Sequence, residues 1–271
     1  MMGKVVSFVK RFYLAIIFIF MYLPIGALMV FSFNESKNMA SWAGFSTHWY
    51  QQLFHDPVIA EALWVTISVA LISSVAATLI GTLAAIGLDG FKAKTKNAVL
   101  NFTYIPMVNA DIVTGISLLL LFIFFNIPRG YWTMTLAHIT FSIPYVIFSV
   151  LPKMRQLDRS TYEAALDMGA KPGYAVRKVI LPQITSGIVT GFILAFTMSF
   201  DDFMISFFTT QGVTQNLSIY VYSMARVGIN PMINALSTIM FVVVITLLLI
   251  VNLQSLKSKP LKRPRAKSIE Y

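Results

Sequence analysis

The chain has no cysteine among its 271 residues. That excludes a disulfide framework, a thiolate nucleophile and any cysteine-ligated zinc or iron–sulfur centre. Charge is scarce as well: 12% Asp, Glu, Lys and Arg, against about 25% in ordinary soluble domains. Acids are scarcer than bases, 11 against 21. No G-x-x-x-x-G-K-[ST] stretch occurs, so the loop that cradles nucleotide phosphates is missing. The three histidines, His48, His55 and His138, have no metal-ligand spacing, and each reads as interfacial or packed. No metal site and no catalytic residue is assigned. What is present is apolar: 57% hydrophobic residues, 22 Phe, 14 Met and a mean hydropathy of +0.73. A soluble fold of this length has too little interior to hide that much apolar side chain. A polytopic helical membrane protein remains. In such a protein a net charge of +10 speaks of topology rather than of nucleic acid.

Charge-free runs mark the spans. About 20 helical residues cross a ~30 Å hydrocarbon layer. The runs predict six transmembrane helices near 12–33, 62–88, 100–125, 131–151, 184–208 and 233–253. They are continuous rather than alternating, so helices are expected and not a barrel. The first run is too long for a signal peptide and reads as an uncleaved anchor. The whole chain, 1–271, is expected to form one membrane domain.

Six spans place both termini on one side. The N-terminus and the loop at 89–98 hold three Lys/Arg each, and the segment 152–183 and the tail 254–271 six each. That is 18 of 21 on one face, against Lys37, Arg129 and Arg226 on the other. The richer face is predicted to be cytoplasmic. The basic tail reads as an anchor near anionic lipid. On the other side, the aromatic loop 34–61 (Trp42, Phe45, Trp49, Tyr50, Phe54) reads as an interfacial belt. A short amphipathic helix is expected over Leu217 to Val227, with Asn230–Pro231 opening the last span.

The cytoplasmic segment 152–183 is too regular for a linker. It contains RSTYEAALDMGAKPGYAVRKVILP from Arg159 to Pro182. Ser160 and Glu163 have capping-box spacing, and the helix is expected to run Thr161 to Met168. Gly169 suits the left-handed residue that ends it. Pro172 suits the first turn of a second short helix that stops near Pro182. The small residues Ala164, Ala165 and Gly169 fit close packing against either a partner or the chain's own bundle.

Glu163-Ala164-Ala165, three residues, Gly169, and later Leu181-Pro182 resemble the EAA loop of ABC importer permeases. Val179 stands where that pattern has Ile. The resemblance implies an all-α, six-span MetI-like bundle whose EAA helix docks on a separate ATP-hydrolysing subunit. Glu163, Ala164, Ala165 and Gly169 then become the ATPase contacts. It also implies a second homologous permease, two ATPase subunits that bind the ATP, and an extracytoplasmic binding protein. The home of such an assembly is a bacterial inner membrane. The chain itself would carry no cofactor.

Three acids, Asp111, Asp201 and Asp202, fall within or near the spans. An ionised Asp at a helix centre costs about 2.5–3.5 kcal/mol on insertion scales. No Lys or Arg lies inside a span to pair with them, so an external cation is the simplest counter-charge. At about 100° per residue, Asp202 shares a stripe with Gly187, Gly191, Ala195 and Ser199, and Asp201 lies nearer Thr190 and Thr197. A second small-residue stripe is Ser73, Ala77, Gly81 and Ala85. Such stripes let helices approach closely. Asp201 and Asp202 also suit helix caps at the interface, and Asp111 suits the cap of a helix restarting after Pro106.

A wider resemblance concerns the substrate. Ser32-Phe33-Asn34, the Trp42 to Tyr50 segment, Asp111-Ile112-Val113 and Ser199-Phe200-Asp201-Asp202-Phe203 look like the permeases of spermidine/putrescine importers. Arg226-Val227-Gly228, Asn230-Pro231 and Asn234-Ala235-Leu236 extend the likeness. It implies Asp111, Asp201, Asp202, Ser199 and Trp42 as substrate contacts. Carboxylates suit a polycation, and each aromatic face adds about 0.5–2 kcal/mol by cation–π contact. Another cationic or small solute, or an ion-coupled secondary transporter, is the alternative. An aspartyl intramembrane protease fits poorly, because Asp111 follows Asn109-Ala110 rather than G-x-G.

Overall fold

A computed structural model describes residues 2–37, 41–212, 214–227 and 231–257. The cap expected at Asn230 and nearly all of the basic tail lie outside the described residues. Among those described, the fold is helical, and an isolated bridge between Asn34 and Phe45 is its only β pairing. In chain order the helices are α1 (Met2–Phe31), α2 (His48–His55), α3 (Pro57–Asp89), α4 (Ala93–Val108), α5 (Asp111–Phe124) and α6 (Tyr131–Gln156). They continue with α7 (Arg159–Asp167), α8 (Pro172–Ala175), α9 (Leu181–Asp201), α10 (Met204–Thr209), α11 (Leu217–Val227) and α12 (Pro231–Lys257). Five of these stretches are long and apolar enough to cross a membrane, or six if α4 and α5 are one broken span.

Two of the expected spans are corrected. The third is not one straight helix: α4 and α5 meet at 104°. Pro106 has already removed one backbone donor from α4, and the polar Asn109 takes an extended conformation rather than continue the helix. The fifth ends at Asp201, not near 208, because Asp202 turns out of the helix with extended backbone. The helix Leu217–Val227 and the start of the last span at Pro231 fall where the sequence places them.

The chain divides into two compact units. The first comprises residues 1–64 and 215–243. Its core joins Trp49 and Leu53 of α2, Ile59 and Ala62 of α3, Leu217 and Tyr220 of α11, and Ala235 and Leu236 of α12. Asn34 organises the loop before α2. Its side chain donates to the Ser41 carbonyl at 2.8 Å and accepts from the Ala43 N–H at 2.9 Å, while its own carbonyl accepts from Trp49 Nε1 at 2.6 Å. The stretch Phe12–Phe31 of α1 is apolar yet unburied, as a face turned to lipid or another subunit must be.

The second unit comprises the described residues within 65–214 and 244–257. Its core is a seam of α3, α6 and α9, built from Ala77, Ala85, Val146, Val150, Met154, Ile184 and Ala195. The glycines of the two stripes make the seam possible. A Cβ on Gly81 would stand 2.8 Å from Val146 Cβ, and one on Gly187 3.1 Å from the Ser149 carbonyl and 3.2 Å from Val150 Cα. Ser149 uses that closeness to donate to the Gly187 carbonyl at 2.9 Å.

Candidate functional site

The first part of the site is the break between α9 and α10. Asp residues compete with the backbone for hydrogen bonds and so favour helix ends. Asp202 does this here. Its carboxylate accepts from the backbone N–H of Ile205 at 3.3 Å and of Ser206 at 2.7 Å, and from the Ser206 hydroxyl at 2.9 Å. Those donors belong to the first turn of α10, where negative charge is favoured. The His138 ring of α6 closes the arrangement, with Nε2 3.4 Å from Asp202 Oδ2. Ser199, one turn earlier on α9, is buried between His138 and Ser73 of α3. Asp201 differs from its neighbour: it is exposed.

Asp111 is exposed too, as the first residue of α5 beyond the 104° break. The α5 helix packs on α10. A Cβ on Gly115, one turn after Asp111, would stand 3.2 Å from the Met204 carbonyl and 3.0 Å from the Phe208 ring. Asp111, Ser199, Asp201 and Asp202 are thus gathered by two helix breaks within one unit. Trp42 lies in the other unit, half exposed in the loop that Asn34 ties.

The second part is the loop that follows α6. Its helix α7 is capped by Asp158, which accepts from the Ser160 N–H at 3.0 Å. This corrects the expected Ser160–Glu163 capping box and moves the helix start to Arg159. The Ser160 hydrogen bonds hold the Asp158 carboxyl below the usual carboxylate range. The other end follows the sequence. Gly169 has φ +87°, its N–H reaches the Leu166 carbonyl at 2.8 Å, and the Ala170 N–H reaches the Ala165 carbonyl at 3.1 Å. This is a Schellman closure, which suits glycine because a Cβ is penalised at positive φ.

The second short helix does not stop at Pro182. After Pro172–Ala175 the backbone widens into a π turn over Val176–Ile180 and runs on into α9. The wider turn, in which the Leu181 N–H reaches back to the Val176 carbonyl, gives Pro182 room that a regular helix interior denies it. Glu163, Ala164 and Gly169 are exposed and Ala165 half-buried, and a Cβ on Gly169 would meet nothing within 4 Å. The small residues of α7 therefore leave an open face. Beneath α7 lies a cavity of about 430 Å³, lined by Met154, Tyr162, Leu166 and Val179 and rimmed by Asp89 and Glu163.

Sequence reasoning missed His138. A histidine alone inside a span with no other charge was the available signal.

Long apolar helices with a capped, exposed elbow between two of them define a polytopic membrane protein, and the comparisons give its class. Residues 77–256 match the family described as binding-protein-dependent transport system inner membrane component. The chain belongs to that family. It is 34% identical over 251 residues to the spermidine/putrescine transport system permease protein PotC of Haemophilus influenzae, covering 93% of this chain and 98% of that protein. It is 39% identical over 229 residues to the putrescine transport system permease protein PotI of Escherichia coli K12, with 82% of each chain covered. Among solved structures, a bacterial ABC transporter that imports the acidic polysaccharide alginate superposes with a TM-score of 0.66 at 17% identity, over 94% of this chain and all of that one. The MetNI methionine ABC transporter gives a TM-score of 0.55 at 17% identity, over 78% of this chain and 95% of that one. These two show the fold, the MetI-like permease bundle.

Proposed function

We propose that this chain is a membrane-spanning subunit of an ATP-driven importer of polyamines, spermidine or putrescine. The observation that carries the reading is the pair of exposed carboxylates, Asp111 and Asp201, each at a break in an apolar span. A polyamine brings the positive charge the spans lack, on an apolar chain that suits the bundle. Trp42 offers its ring face, and Asp202 and Ser199 complete the acidic turn behind Asp201. The names of the similar permeases support the same substrate class.

The rest of the assembly follows. ATP is hydrolysed by two separate subunits that take the elbow of Glu163, Ala164, Ala165 and Gly169 as their mechanical contact, and this chain holds no cofactor. A second homologous permease completes the membrane part, and an extracytoplasmic binding protein delivers the solute. Both termini and α7 face the cytoplasm of a bacterial inner membrane. Labelled spermidine and putrescine uptake by Asp111→Asn, Asp201→Asn and Asp202→Asn variants tests the reading. Each is expected to lose most uptake at normal expression. Unchanged uptake in all three removes the acids from the mechanism. Gradient-driven transport by this chain alone, without an ATPase, replaces the reading by that of a secondary transporter.

A further inference from the structure

His138 is completely buried in the interior of α6, and both ring nitrogens are engaged. Nδ1 is 2.5 Å from Ser199 Oγ, and Nε2 is 2.9 Å from Ser206 Oγ and 3.4 Å from Asp202 Oδ2. The partners fix the direction of most of these bonds. The Ser206 hydroxyl donates to Asp202 Oδ2, so its oxygen accepts from His138. Nε2 therefore carries a hydrogen whether the ring is neutral or charged.

Nδ1 is the variable position. In the neutral ring it accepts from the Ser199 hydroxyl. In the imidazolium it donates, and Ser199 must turn its hydrogen to Ser73 Oγ, 3.1 Å away on α3. Ser73 passes its own hydrogen to the Ala70 carbonyl at 3.3 Å. Both arrangements pair each of these buried groups. A single proton on His138 thus reverses a hydroxyl chain that ties α10, α6, α9 and α3.

We propose that His138 is a positioning residue for transport. Through Asp202 and Ser206 it clamps the break between α9 and α10, and through Ser199 and Ser73 its charge state sets that break against α3. The proposal rests on the transport reading of the same turn, not on which solute passes. Asp202 is the acid in ion-pair reach of the ring, and Asp201 precedes it on α9. Residues 65–88 of α3 and all of α10 carry no ionisable side chain. The α5 helix brings Asp111, and α6 itself Tyr131 and Tyr145, with Lys153 and Arg155 in its last turn. The α4 helix brings Lys94 and Lys96 in its first turn and Tyr104, whose ring centre lies 4.2 Å from that of Phe148, nearly three turns along α6 from His138.

The test uses the complete transporter in proteoliposomes, with the same pH on both sides. ATP-driven polyamine uptake and ATP hydrolysis are followed between about pH 5.5 and 8.5. His138→Gln, which keeps hydrogen-bonding groups but cannot take up a proton, is expected to remain active with a pH profile unlike that of the wild type. His138→Phe keeps the volume and loses the bonds, and is expected to run roughly tenfold slower at equal assembly. Ser73→Ala, at the far end of the chain, is expected to shift the profile without abolishing transport. A wild-type pH profile in His138→Gln overturns the proposal, as does full activity of His138→Phe. If His138→Phe does not assemble, the His138→Gln profile decides. If the wild type hydrolyses ATP but moves no polyamine, the substrate reading fails, and His138 is judged on the pH profile of hydrolysis.

Discussion

Replacing Gly187 by Ala probes the helix seam, and Gly87→Ala supplies its control. Both glycines sit inside long helices, α9 and α3. Gly187 is interior to α9 and Gly87 lies in the last turn of α3, so alanine gains at most about 1 kcal/mol of helix propensity at either and no less at Gly187, and a deficit of Gly187→Ala against the control is packing. At Gly87 a Cβ meets nothing within 4 Å. At Gly187 it stands 2.9 Å from Lys153 Cγ, 3.1 Å from the Ser149 carbonyl oxygen and 3.2 Å from Val150 Cα. The lysine stem swings away at little cost, but the other two atoms are backbone. To restore ordinary contact, α6 and α9 must part by a few tenths of an ångström, which also stretches the 2.9 Å bond from Ser149 to the Gly187 carbonyl. Overpacking of this kind costs about 1–3 kcal/mol. At roughly 2–4 °C per kcal/mol for a chain of this size, Gly187→Ala should melt several degrees below Gly87→Ala. The assay is thermal unfolding of the purified transporter in detergent, both variants side by side. Equal midpoints would refute the close α6–α9 approach on which the placement of Ser199 and Asp202 depends.

Other outcomes follow from the same geometry. Gly169→Ala, at φ +87°, should destabilise the α7 turn by about 1–2 kcal/mol and lower crosslinking from α7 to the proposed ATPase subunit, while Gly173→Ala, whose Cβ meets nothing, should be silent. Asp158 has its carboxyl held low by Ser160. Its stabilisation of α7 is therefore fully present above the unfolded value of about 4 and is lost as pH falls through the lower folded value. Hydrogen exchange of residues 158–168 should stay constant from about pH 8 down to 5, after correction for intrinsic rates, and quicken only below about 4. Asn34→Ala leaves the Ala43 N–H and the Ser41 carbonyl without their partner, a loss of about 1–3 kcal/mol. Limited proteolysis should cut the Trp42 loop faster in that variant.

Much of this was legible in single residues. Charge-free runs mark helices because a bilayer excludes unpaired charge, and the glycine and proline of the elbow announce a left-handed turn and a helix start through their own backbone limits. The elbow's exact cap was less legible, since Asp158 and Ser160 are both good caps and only the fold chooses between them. The fifth span was read too long because Phe203 to Phe208 is as apolar as the helix before it. What ends that helix is a carboxylate finding the backbone of the next turn, a local competition that hydropathy does not register. Pro182 misled in the opposite direction: the π turn before it lets the helix continue.

Composition by itself determined that the chain is a helical membrane protein, and the glycine and proline of the elbow determined where it turns, because those are properties of each residue in its solvent. The 104° break at Asn109–Ala110 and the burial of Ser199 were decided only by the tertiary structure. So was the meeting of His138 with Asp202. They arise where α3, α6, α9 and α10 come within hydrogen-bonding distance, and side chains distant in sequence acquire partners only once those helices pack.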